Sequence, residues 1–211
     1  MALFITLEGG EGAGKTAVAE ALAGLARERG ADVVLTREPG ATPLGEALRA
    51  SLFRADERLS AWSEAFLFLA DRADHVQRVI RPALARGGVV ICDRFSDSTI
   101  AYQGYGRGLD TDLLHELTRH AADGTAPTLP LLLDVPVAEG LARSHTETFD
   151  RIGRETVDFH ARVYEGFGRL ALAEPERIKP IDASQPLDLV IADAWALVEA
   201  RLARIGFRAG A

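Results

Sequence analysis

LFITLEGGEGAGKT, residues 3–16, opens with an apolar run of strand formers and closes on Gly9-x4-Gly14-Lys15-Thr16, the spacing of a phosphate-binding loop. The alanine- and leucine-rich sequence after it, 17–29, predicts a helix capped by Gly30. The motif thus stands between a strand and a helix, the setting its chemistry requires. Glycines at 9, 10, 12 and 14 let the backbone turn tightly and aim successive N–H groups at one anion. The positive end of the following helix adds to that field. Lys15 is placed to reach the β- and γ-phosphates of a triphosphate, and the Thr16 hydroxyl to hold Mg²⁺. Gly9, Gly10, Glu11, Gly12, Ala13, Gly14, Lys15, Thr16 and Ala17 are the expected nucleotide-binding stretch.

Outward from the loop, apolar runs at 3–7, 32–36, 89–93, 129–134 and 178–182 read as buried parallel strands. Helical stretches separate them: 43–53, with Thr42 as N-cap and Pro43 in the first turn, then 61–86, 112–122, 137–143, 155–173 and 187–205. Alternation of strand and helix predicts a single α/β domain over 1–211, a five-stranded parallel sheet with helices on both faces. Ligands of such sheets bind beyond the carboxyl ends of the strands. There the chain carries 8–16, 37–40, 93–95, 134–136 and 182–184, rich in charge and glycine. Asp93, closing the apolar run VVICD, is the expected magnesium partner through water. Arg94 follows at once and is placed to hydrogen-bond phosphate.

With 211 residues, 47% of them hydrophobic, the chain can bury a full core. A net charge of −7 disfavours nonspecific nucleic-acid binding, so an anionic ligand must be held by local cations. No run is long and apolar enough to span a membrane, and the N-terminal apolar run is too short, and lacks a basic lead, for a secretory signal. Cys92 is the single cysteine, which excludes an internal disulfide and reads as a small buried side chain in a cytoplasmic protein. The chain contains no asparagine, which excludes the NKxD guanine motif of a GTP-driven switch.

At Asp93 to Gly104, DRFSDSTIAYQG, the sequence resembles the DR(Y/F)xxS segment of thymidylate kinases. So do TREPGATPLG at 36–45, GRGLD at 106–110, DASQP at 182–186 and the phosphate loop. The resemblance covers nearly the whole chain, with its motifs in order. It implies a nucleoside monophosphate kinase fold, ATP and Mg²⁺, dTMP as acceptor, and a homodimer built from helices such as 61–86. It implies that Phe68 stacks on thymine and Arg72 bonds its O4. Ser98 and Thr99 would read the base edge, with Gln103 nearby, and Tyr102 would exclude a ribose 2′-OH. Glu11 would face the sugar 3′-OH, and Arg49 and Arg94 the acceptor phosphate. Arg37 would either join them or pair with Glu38. Ser184 would stand near the adenine.

The lid implied by the resemblance is 143–154. Its Arg151 would clamp the transferred phosphoryl, with Arg143 and then Arg154 behind it. The segment departs from the family in being less basic at 145–148 and in having Gly153 where glutamate is usual. Ala17 and Ala41 are further departures, at positions where threonine and glycine are common. The expected reaction is in-line transfer of the ATP γ-phosphoryl to dTMP, needing no strong base because the acceptor phosphate is already ionised. Two other readings stand beside it. One is a kinase for another nucleotide or a deoxynucleoside, for which Arg49 and Arg94 would have little purpose if no acceptor phosphate is present. The other is a nucleotide-binding homologue with an impaired lid.

Overall fold

Five short strands, β1 (Leu3–Glu8), β2 (Val33–Arg37), β3 (Val89–Asp93), β4 (Leu129–Asp134) and β5 (Lys179–Asp182), pair in parallel in the order β2-β3-β1-β4-β5. The computed structural model describes residues 2–53, 59–144 and 151–206. The five-stranded parallel α/β reading holds, with strand ends shifted by a residue at most.

Alternation along the central strands divides the core. Leu3, Ile5 and Leu7 point to one face, against Val18 and Leu22 of α1 (Lys15–Glu28) and Val190 and Val198 of α9 (Leu187–Arg204). Phe4, Val90 and Cys92 point to the other, where Val76, Ile80 and Phe95 cover them. Cys92 is fully buried, as read. Gly30 adopts φ 85° and its N–H bonds to the Arg27 carbonyl, ending α1 as expected. Thr42 caps α2 (Pro43–Leu52) by accepting from the Gly45 N–H at 3.0 Å.

The expected helix 61–86 is interrupted. It runs as α3 (Ala61–His75), a π-helical turn (Val76–Ile80) and α4 (Arg81–Ala85). Pro82 has no N–H to return to the preceding turn and its ring crowds that turn, so the ladder widens ahead of it and the Arg81 N–H reaches back to Val76. A second π segment, Ile100–Gly106, extends the short helix α5 (Ser96–Thr99), and no hydrophobic period announces it. Remaining helices are α6 (Thr111–Ala121), α7 (Val137–Ser144) and α8 (Val157–Ala173). Helix α8 lies across the second π segment through a tight seam, where Gly166 faces the Tyr105 ring and Gly106 faces Phe159.

Register sets up the site. Leu7 and Arg37 both lie level with Asp93, so the chain leaves three adjacent strands at one height. Glu8, Glu38 and Arg94 therefore emerge side by side.

Candidate active site

A cleft of about 1020 Å³ opens over the carboxyl ends of the strands. Its floor is the phosphate loop, where Gly9, Gly12 and Gly14 all have positive φ, and Gly14 in left-handed conformation starts α1. The loop has no room to spare: a Cβ on Gly12 would run into the Gly140 carbonyl, and a Cβ on Gly140 into that of Glu11. The backbone of α7 thus rests directly on the loop. Lys15 folds back over it, donating from Nζ to the carbonyls of Gly9 (3.1 Å) and Gly10 (2.6 Å). Burial pushes its ammonium down to about 8; Arg94 adds to the push, and Glu11, Asp93 and Glu8 oppose it.

The Thr16 hydroxyl donates to Asp93 Oδ2 at 2.7 Å, joining the first turn of α1 to the end of β3. Among the described residues no group of three or more His, Cys, Asp or Glu side chains is built to hold a metal. One hydroxyl beside one carboxylate suits Mg²⁺, which takes few protein ligands and completes its shell with phosphate oxygens and water.

Arg94 is the hub of the cleft. Its guanidinium donates to the Gly9 carbonyl (3.0 Å), to Glu11 Oε1 (2.9 Å) and to the Tyr102 hydroxyl (3.1 Å), and it lies 4.8 Å over the Tyr102 ring. The Tyr102 hydroxyl donates to the same Glu11 oxygen at 2.8 Å. Burial works to raise the Glu11 carboxyl, but Arg94, Lys15 and that hydroxyl outweigh it and hold it at about 2. Burial drives the Tyr102 phenol up, and Glu11 reinforces this. Beneath Arg94, Ser98 donates to Glu8 Oε2 at 2.6 Å. Burial, with Asp97 nearby, pushes that carboxyl up to about 8.

The opposite wall rests on a second buried charge. Glu38, which follows β2 and is joined to Pro39 by a cis peptide, takes Arg72 Nε at 2.9 Å on one oxygen and His75 Nδ1 at 2.9 Å on the other. Arg72 is 1% exposed, borders the cleft and keeps NH1 without a hydrogen-bond partner among the described residues. Phe68, one turn before it on α3, is half-buried: it packs against the core and borders the same wall of the cleft. Arg49 donates to the Pro39 carbonyl at 3.1 Å. Arg37 is exposed on the cleft rim and does not form the ion pair with Glu38. Thr99 and Gln103 are buried and line the cleft, Gln103 donating to Glu64 at 2.8 Å.

A family profile described as thymidylate kinase matches residues 7–194. The chain belongs to the thymidylate kinase family. It is 50% identical to thymidylate kinase from Synechococcus sp. (strain JA-2-3B'a(2-13)) over 200 residues, covering 95% of this chain and 96% of that one. It is 50% identical to that of Desulfovibrio desulfuricans over 215 residues, covering 97% and 98%. Its structure is similar to that of thymidylate kinase from Ehrlichia chaffeensis, with a TM-score of 0.77 and 36% identity over 93% of this chain and 98% of that one.

Against this thymidylate kinase background, most of the residues singled out from the sequence border one cleft: Glu11 to Ala17, Arg37, Arg49, Phe68, Arg72, Asp93, Arg94, Ser98, Thr99, Tyr102, Gln103 and Arg143. Gly9 and Gly10 lie just behind, holding Lys15 through their carbonyls. Arg143 donates to the carbonyls of Ala183 (2.7 Å) and Ser184 (3.3 Å), so the start of the expected lid is tied to the loop after β5. The exposed Ser184 hydroxyl turns to Asp182. Arg151 departs from its expected place: it points away from the cleft, to Glu64 Oε2 (2.6 Å) and the Leu52 carbonyl (3.0 Å). Glu64 is buried and also binds Arg107; a buried carboxylate competes strongly for a nearby guanidinium. Lid residues 145–150 lie outside the described residues. Sequence reading passed over Gly140, Glu64 and the Glu38 pairing with Arg72 and His75. Motif spacing cannot reveal them, since each acts through a distant segment.

Two outcomes follow from the loop. Gly140→Ala should cost about 1–3 kcal/mol of stability by overpacking and weaken ATP on the order of tenfold, checked by thermal unfolding and nucleotide titration; wild-type ATP affinity in that variant would refute the contact. A polyanion restores the charge on Lys15, so at pH 8 ATP binding should take up about half a proton. Lys15→Met should take up none, as read by calorimetry in buffers of different ionisation enthalpy.

Proposed function

We propose that this cleft transfers the γ-phosphoryl of ATP to the 5′-phosphate of dTMP, giving ADP and dTDP. The observation that carries the reading is the Arg94–Glu11–Tyr102 cluster, which fastens the phosphate loop to the acceptor side of the cleft. ATP lies with its β- and γ-phosphates on the loop N–H groups and Lys15, and its adenine beside Arg143 and the loop at Ser184. The dTMP phosphate lies between Arg94 and Arg49, with Arg37 at the rim. Thymine stacks on Phe68 and meets the unpartnered NH1 of Arg72, Ser98 and Thr99 border its edge with Gln103 nearby, and Tyr102 closes the space beside the sugar where a 2′-OH would stand. Glu11 accepts from the 3′-OH.

No general base is needed, because the attacking phosphate oxygen is ionised. The work of the chain is to align donor and acceptor and to spread cations around the transferred group. Mg²⁺, held by Thr16 and through water by Asp93, would neutralise charge on the β- and γ-phosphates when bound. The chain acts as one domain over 1–211, with 143–154 as the lid. No described helix is long and apolar enough to cross a membrane; a lone, buried, free thiol suits the cytoplasm.

Release of ADP should be fast with dTMP, weak with dUMP and absent with dCMP, UMP and thymidine; turnover without preference for dTMP would overturn the acceptor assignment. Arg72→Lys keeps a cation beside Glu38 but removes the NH1 donor. It should raise the KM for dTMP about tenfold while leaving that for ATP unchanged, and equal weakening of both would argue against base reading. The reading includes a homodimer through α3, where Phe66 is 55% exposed and stacked on Trp62. Phe66→Glu should convert it to monomer in sedimentation analysis.

A further inference from the structure

His160, on α8, is buried yet has no part in the mechanism above. Its ring bonds to the Gly153 backbone, while Nε2 has no hydrogen-bond partner among the described residues. The bonded nitrogen is therefore Nδ1, donating to the Gly153 carbonyl. Burial, the dominant influence, lowers the pKa of the ring, so it is neutral and Nε2 presents a lone pair. The side chain borders a small cavity of about 20 Å³ between α8 and the phosphate loop. Among the described residues, only Glu11, His160 and Tyr164 bring polar side chains to it, with the Gly10 backbone beside them. The Tyr164 hydroxyl is engaged with Asp134. Glu11 uses Oε1 for Arg94 and Tyr102, and its Oε2 takes no hydrogen bond from the described residues.

An imidazole lone pair and a carboxylate are both acceptors and cannot bond to each other. Water, with two donors, can join them, and a cavity of this size holds one molecule. We propose that His160 is a positioning residue for Glu11: a single water in this cavity donates to His160 Nε2 and to Glu11, fixing the rotation of the carboxylate that meets the acceptor sugar. The same imidazole grips Gly153 with its other nitrogen, so α8 orders the end of the lid segment and the phosphate loop through one side chain. A carboxylate has about four acceptor sites, so Glu11 can take this water, Arg94, Tyr102 and a sugar hydroxyl together. The inference rests on the reading that Glu11 faces the 3′-OH of dTMP.

The test is a double-mutant cycle in steady-state kinetics with ATP and dTMP. His160→Phe keeps a flat ring and loses the acceptor; it should raise the KM for dTMP about tenfold, with kcat and the KM for ATP nearly unchanged. His160→Gln, which keeps an acceptor near the Nε2 position, should restore most of the affinity. In a Glu11→Gln background, His160→Phe should add less than about a twofold effect, because it acts through Glu11. Independent, multiplying effects in the double variant would overturn the proposal, as would equal losses in the Phe and Gln variants at unchanged thermal midpoint. If Glu11→Gln alone leaves the KM for dTMP unchanged, the sugar reading of Glu11 fails and the inference falls with it. A Glu11 effect without coupling to His160 defeats the inference alone. Should His160→Phe not fold, His160→Asn, whose amide stops short of the cavity, replaces it in the cycle.

Discussion

The ion pair between Arg94 and Glu11, 2.9 Å across, joins two segments that have no covalent reason to stay in register. One is the phosphate loop after β1; the other begins at the end of β3. Arg94 makes the joint from a left-handed backbone position, φ 70°, which costs an ordinary residue about 1–3 kcal/mol and persists only where surrounding contacts over-determine it. Those contacts are present: its N–H bonds to the Leu7 carbonyl, and its guanidinium to Gly9, Glu11 and Tyr102. The geometry of the loop, the position of Tyr102 and the poise of Lys15 all depend on this one side chain.

A chain of net charge −7 nevertheless builds a site for two anions. It does so by burying acids where they position cations. Glu38 holds Arg72 and His75 behind the acceptor wall, and Glu64 collects Gln103, Arg107 and Arg151 at the far end of the same helix. Removing one partner of such a group leaves an uncompensated buried charge. These acids therefore govern where the guanidinium groups stand, even though none of them need touch a nucleotide.

Much of this was legible in advance because its causes are local. A phosphate loop, an apolar strand and an N-cap each lie within a few consecutive residues, and all five strands, Thr42 and Gly30 appear where local pattern places them. The Thr16–Asp93 and Glu11–Tyr102 contacts join positions 77 and 91 apart, yet the loop motif and the strand end each marked one residue of the first pair, and the family resemblance marked both of the second. What it did not supply was side-chain choice between competing partners: Arg151 goes to Glu64, and Arg37 leaves Glu38 to Arg72. The π turns were also hidden. Val76–Ile80 reads as ordinary helix until Pro82 denies it a donor, and Ile100–Gly106 takes its shape from the glycine seam with α8, a tertiary cause.

The lone thiol gives the molecule an unusual chemical resilience. Cys92 stands on β3 next to Asp93, sealed from solvent, donating to the Arg94 carbonyl and with burial holding its pKa far above the ordinary thiol range. Reactivity belongs to the thiolate, so thiol-directed reagents have no foothold at Cys92 in the folded chain. They gain one only when β3 separates from its neighbours, and by then the cleft is already lost. Oxidative damage at this cysteine and unfolding of the sheet are thus a single event, and the enzyme needs no separate defence against the first.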